Sequence, residues 1–205
     1  MNLPLTHTFM PASNDSKRLV VVLHGLGDSS QGFLWLQDAL DIDSFNYVLL
    51  NAPDAYYTGF SWYDINDPAS GIERSRKVLG EVLDQTQREG YPADQTILFG
   101  FSQGCLMTLE FGARYAHALA GYVGISGYCY SPDAILREMN TAVNNGHWLV
   151  THGTSDELLP AQMTRSQIKR LQDGGFKIDY REYAKTHTII PEELGEIREW
   201  MVSLG

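Results

Sequence analysis

The chain has 205 residues and a formal net charge of −10, a balance that argues against nucleic acid as a ligand and against electrostatic docking on anionic membranes. An apolar share of 43% beside 20% charged residues is that of an ordinary globular protein, and we read residues 1–205 as one domain with a sizeable core. No apolar run approaches the roughly 18 residues needed to cross a bilayer, so stable membrane insertion is not expected. The start, Met1 to His7, has no basic region followed by an apolar run, so no secretory signal is expected. Cys105 and Cys129 lack metal-ligand spacing and are too few for a disulfide framework, and a reduced, cytoplasmic setting fits best.

Residues 3–10 read as an edge strand ending at Pro11. Residues 18–24 form a continuous branched run, the pattern of a strand buried on both faces. The run stops at His24-Gly25-Leu26-Gly27-Asp28, a loop flexible enough to turn backbone N–H groups outward. Residues 31–40 read as a first helix carrying Phe33, Leu34, Leu36 and Leu40, and residues 46–51 as the next strand. From Ala52 to about Gly71 there is no clean period, and Tyr56, Tyr57, Phe60, Trp62 and Tyr63 crowd among Pro, Gly, Asp and Asn. So long a structureless stretch is uncommon in a compact domain. Two readings stay open: a functional loop, or one that packs its aromatics on its own core.

Residues 72–88 read as an amphipathic helix with Leu79, Val82, Leu83 and Thr86 on one side. Residues 95–101 are a short buried strand, and residues 103–116 a helix apolar nearly all round. Between these two lies Gly100-Phe101-Ser102-Gln103-Gly104, a Gly-x-Ser-x-Gly pentapeptide at a sharp strand-to-helix reversal. Alone it is a weak signal, because a glycine-rich turn whose serine merely caps the helix has the same composition. Further strands are expected at 119–125, 147–152 and 176–183, and helices after Ser131, over 160–173 and from Pro191 onward. Strands alternating with helices imply a mostly parallel central sheet with helices on both faces, with ligands held beyond the carboxyl ends of the strands.

A serine hydroxyl at neutral pH needs a neighbouring base, itself oriented by an acid. His187 lies in the loop after the last strand, and Asp156 in the loop after the strand ending at His152. The order Ser102, Asp156, His187 is the one expected when the serine rides a strand-to-helix elbow. Glu157, beside Asp156, reads as facing solvent or the N-terminus of the next helix. An oxyanion would need two donors: the Gln103 N–H at the elbow, and one from the loop where Leu26 sits between two glycines. His24 and Asp28, like His152 and Asp156, are four apart, but glycines interrupt the helix that such a metal-ligand spacing requires, so no metal is expected. His24 and His152 read instead as strand-end residues bonded to loop backbone, and Cys105 as a small core residue.

His24-Gly25-Leu26-Gly27-Asp28, Ser61-Trp62-Tyr63-Asp64, the elbow, His152-Gly153-Thr154-Ser155-Asp156 and Thr186-His187-Thr188-Ile189 run across nearly the whole chain. In this order they resemble the carboxylesterase/phospholipase branch of the α/β-hydrolases, which includes acyl-protein thioesterases. The resemblance implies an α/β-hydrolase fold, Ser102 as nucleophile, Asp156 as acid and His187 as base. It also implies oxyanion donors at Leu26 and Gln103, and an acyl pocket near Leu26 and Trp62. No cofactor is implied, and the partner is a small-molecule ester or thioester; a homodimer is left open. Thr186 stands where the family usually has glycine, and residues 52–71 look short for a long acyl tunnel. The expected activity is therefore hydrolysis of short- to medium-chain acyl esters. The alternatives are a thioesterase or lysophospholipase for long chains, or a non-catalytic binder on the same fold.

Overall fold

The computed structural model describes residues 1–140, 143 and 146–204. In chain order the strands are β1 (His7–Met10), β2 (Arg18–Leu23), β3 (Phe45–Leu50), β4 (Asp54–Tyr56), β5 (Gly59–Ser61), β6 (Thr96–Phe101), β7 (Gly121–Ile125), β8 (Trp148–Gly153) and β9 (Ile178–Tyr183). The α-helices are α1 (Leu36–Leu40), α2 (Pro68–Arg88), α3 (Gln103–Gly112), α4 (Pro132–Glu138), α5 (Ala161–Asp173) and α6 (Pro191–Ser203).

Branched and aromatic runs make the strands, and their period of two sorts side chains to the two faces of one sheet. In β2, Leu19, Val21 and Leu23 pack toward α2, α3, α4 and α5, while Val20 and Val22 pack toward α1 and α6. The sheet has seven strands in the order β1-β3-β2-β6-β7-β8-β9. All pairings are parallel except that of β1, which lies antiparallel on β3 at one edge. The chain reverses its direction of travel across the sheet between β2 and β6, where Leu23 sits opposite Gly100. The loops leaving these two strands diverge at that point and open a crevice.

Three expectations need correction. Residues 31–40 are not one helix: a 3-10 turn covers Ser30–Phe33 and the short α1 begins only at Leu36. Gly32 weakens the helix there, and Leu34 faces outward rather than into the core. Residues 52–71 are not structureless either. They contain the β4–β5 hairpin, and α2 starts at Pro68, four residues before Ile72. Of its aromatics Trp62 and Tyr63 are buried, whereas Tyr57 in the hairpin turn is 92% exposed. The helix after the elbow ends at Gly112, short of residue 116, and all ten of its residues are buried. The opening of α4 follows the sequence, with Ser131 capping the Ala134 N–H and Pro132 at the first helical position. Among the described residues no helix is long and apolar enough to cross a membrane.

Candidate active site

The elbow between β6 and α3 is built by close approach. A Cβ at Gly100 would run into the Gly104 carbonyl, and one at Gly104 into the Leu23 carbonyl. Glycine at both positions lets α3 start hard against the ends of β6 and β2. Ser102 between them has φ 57 and ψ −114, a conformation costly for any side-chain-bearing residue and held here by the surrounding structure. Its N–H donates to the Ile125 carbonyl at 2.9 Å, and its carbonyl accepts from the Leu106 N–H. The hydroxyl is thereby lifted off the sheet at the positive end of α3.

His187 Nε2 lies 2.9 Å from Ser102 Oγ, and His187 Nδ1 lies 2.7 Å from Asp156 Oδ2. Three side chains separated by 85 and 31 residues thus form one hydrogen-bonded line. Asp156 is buried, with its other oxygen accepting the Leu158 and Leu159 N–H groups at 3.0 and 2.9 Å. Burial pushes its carboxyl upward, but the Leu159 amide, the His187 hydrogen bond and the neighbouring imidazoles outweigh it and hold the group below the usual carboxylate range. Glu157, by contrast, is exposed. Thr186 is exposed and its backbone lies outside the left-handed region, so threonine stands there without strain.

The early loop and the hairpin are stitched together. Gly27 N–H donates to the Phe60 carbonyl and Phe60 N–H returns to the Asp28 carbonyl, each at 2.9 Å. His24, kept neutral by burial, donates from Nδ1 to the Gly25 carbonyl and accepts the Ala52 N–H at Nε2. His152 bonds the Leu159 carbonyl. Both histidines hold loop backbone, as their strand-end positions lead one to expect. Among the described residues the Leu26 N–H has no backbone acceptor, and the Gln103 N–H belongs to the first turn of α3, where a helix offers no internal acceptor. Both residues line the cavity at Ser102. The Gln103 side chain faces the other way and clamps the chain after β5, accepting from Ser61 Oγ and Trp62 N–H and donating to the Tyr63 carbonyl.

That cavity measures about 380 Å³. Its apolar wall comes from Leu26, Ile65, Phe101, Tyr128, Leu158 and Leu159. Trp62 does not belong to it. Its ring is fully buried, with Nε1 donating to the His24 carbonyl at 2.9 Å, so it supports the early loop from beneath and the adjacent Tyr63 faces the cleft instead. Tyr63 is named in the sequence only among the aromatics of residues 52–71 and in the Ser61–Asp64 motif, and Ile65, Tyr128 and Leu158 are not singled out there. Tyr128 could have been, since it lies just beyond the carboxyl end of β7.

A mostly parallel sheet, helices on both faces and a serine on a strand-to-helix elbow at the reversal point define an α/β-hydrolase. The chain belongs to the phospholipase/carboxylesterase family, whose model matches residues 7–204. It is 31% identical over 215 aligned residues to an acyl-protein thioesterase 1 of Yarrowia lipolytica, covering 94% of each chain. A Schizosaccharomyces pombe protein of the same name is also 31% identical, over 74% of each. Among solved structures, an esterase designated PE8 superposes with a TM-score of 0.86 at 26% identity, over 98% of this chain and 99% of that one. The Zea mays acyl-protein thioesterase 2 superposes with a TM-score of 0.83 at 21% identity, covering 98% and 99%, a likeness of fold. The chain is accordingly related to esterase- and thioesterase-type hydrolases acting on acyl-ester bonds.

Proposed function

We propose that the protein is a serine hydrolase that cleaves acyl thioesters and esters through an acyl-enzyme on Ser102. The observation that carries this reading is the Ser102–His187–Asp156 line, with gaps of 2.9 and 2.7 Å, at the edge of an apolar cleft. His187 Nε2 takes the Ser102 proton as Oγ attacks the carbonyl carbon. The N–H groups of Leu26 and Gln103 receive the oxyanion. His187 then passes the proton to the departing thiolate or alkoxide, leaving the acyl group on Ser102. Water deprotonated by His187 releases the acid, while Asp156 holds the imidazole in the productive tautomer and stabilises its cation. Each step uses side chains, backbone and water alone, with neither metal nor organic cofactor.

The relatives' name, acyl-protein thioesterase, favours a thioester-linked acyl group over the short- to medium-chain ester expected from residues 52–71. The lip of the cleft agrees with this: Leu158 is 72% and Ile65 58% exposed, an apolar margin over which a chain can leave the cavity instead of ending in a closed box. Cys105 and Cys129 are both free and buried, which fits the reduced, cytoplasmic setting proposed here. The test is an acyl panel of two to sixteen carbons, as p-nitrophenyl esters and as thioesters, with wild type and Ser102→Ala. Wild type should gain covalent mass on Ser102 from a fluorophosphonate, and the variant should lose about a million-fold in kcat. Comparable turnover by the two proteins rejects the nucleophile. A kcat/KM that falls beyond medium chains restores the short-chain reading.

A further inference from the structure

The base sits on a very tight turn. Thr188 N–H donates to the Thr186 carbonyl at 2.9 Å, closing a three-residue loop with His187 at its apex. Such a turn has few bonds of its own, so the direction of the imidazole depends on what holds its two arms. One arm carries Lys185. Its ammonium lies 2.7 Å from the Thr188 carbonyl on the other arm and 2.6 Å from both oxygens of Glu193 in the first turn of α6. Glu193 also accepts the Ile190 N–H at 3.4 Å, tying the end of the loop to the same carboxylate. The side chains of Lys185 and Glu193 are 1% and 0% exposed. The Lys185 carbonyl, finally, accepts the Ser155 N–H at 3.1 Å, one residue before Asp156. β8 ends in Gly153 where the loop crosses it, and a Cβ there would strike the Lys185 and Thr186 carbonyls.

We propose that Lys185, paired with Glu193, is a positioning residue that fixes the reach of His187 toward Ser102 and Asp156 by bracing both arms of its turn. The role rests on the hydrolase reading above. A buried ion pair is an uneconomical way to gain stability, because desolvation of both charges offsets most of their attraction. What this pair does that an apolar pair could not is grip a backbone carbonyl across the catalytic turn. Displacement of a reacting group by about 1 Å costs on the order of 100-fold in rate while leaving substrate binding intact.

The experiment compares wild type, Lys185→Met/Glu193→Leu, Lys185→Gln and Lys185→Arg on one p-nitrophenyl acyl ester, with fluorophosphonate labelling of Ser102 in parallel. The double variant replaces both charges with apolar side chains and is chosen to stay folded. Its kcat and labelling rate should both fall by about 100-fold with KM within about twofold. Lys185→Gln, shorter and uncharged, should fall in the same sense, and Lys185→Arg, which keeps the charge and the reach, should recover most of the loss. Either neutral variant, folded and within twofold of wild-type kcat, overturns the positioning role. A wild type that neither turns over esters nor labels at Ser102 overturns the hydrolase reading instead, so the two failures are separable.

Discussion

Two hollows in the molecule differ in size and in what their polar groups do. The larger, about 730 Å³, lies among α2, α3 and α4 and is lined by Arg76, Glu110, Arg114, Tyr130 and Glu138 among others. There the charges are spent on one another. Glu110 accepts the Tyr130 and Ser131 N–H groups with one oxygen and Arg114 with the other, and Arg114 Nε donates to Glu138 at 2.7 Å. The smaller hollow, about 380 Å³, is the cleft at Ser102. There a hydroxyl stands in line with an imidazole, and Leu26 and Gln103, the oxyanion donors proposed above, lie in the same lining. Volume is therefore a poor guide to chemistry in this fold. What distinguishes the smaller hollow is that its polar groups arrive from the carboxyl ends of separate strands. Leu26 follows β2, Ser102 follows β6 and His187 follows β9, with Asp156 after β8 behind the imidazole.

This contrast can be broken most forcefully at Asp156. Asp156→Asn keeps an acceptor for the Leu158 and Leu159 amides but turns an NH₂ toward His187 Nδ1, favouring the wrong tautomer. We expect kcat to fall about 10⁴-fold while the folded structure persists, measured by steady-state ester hydrolysis beside circular dichroism. A loss under tenfold would remove Asp156 from the line.

The opposite split belongs to the larger hollow. Arg114→Ala leaves the buried Glu110 carboxylate without its cation, and should lower unfolding stability by about 3 kcal/mol in urea titrations. At temperatures where the variant is folded, kcat/KM should stay within about twofold of wild type. A collapse of activity in the folded variant would show that the two hollows are coupled after all.

The smallest expected effect is on pH. The folded Asp156 carboxyl is held below its unfolded value of about 3.9. Its contribution to stability is therefore fully present above that value and lost as pH falls through the folded one. The Tm difference between wild type and Asp156→Asn should narrow as pH is lowered from 6 to 3. A difference that widens reverses the sign of the shift.

How much of this was legible beforehand depends on how local the signal is. The elbow could be read because two glycines, one serine, a branched run and an apolar helix lie within a score of consecutive residues. Chain order and strand-end position single out Asp156 and His187, and the structure sets His187 between Asp156 and Ser102. The sequence does not reveal which way Trp62 faces, for a physical reason. Adjacent residues after a strand face opposite ways, and only the clamp by the Gln103 side chain, 40 residues on, decides that Tyr63 faces the cleft while the indole goes beneath the early loop. Lys185 was missed for a similar reason. A lysine in a polar loop reads as solvated, and its burial depends on Glu193 arriving from a helix eight residues later. The break in residues 31–40 escapes the apolar spacing, which registers Leu36 and Leu40 but not Gly32 inside the first turn.

The serine is mounted on α3, in which every residue from Gln103 to Gly112 is shielded from solvent, whereas His187 rides a strip where Ala184, Thr186 and Thr188 all stand in water. Amide exchange along α3 would then report rupture of the whole molecule, while the strip could loosen long before. On the mechanism proposed above, heat or denaturant would then separate His187 from Ser102 once the buried Lys185–Glu193 brace gave way, with the serine still mounted on an intact helix.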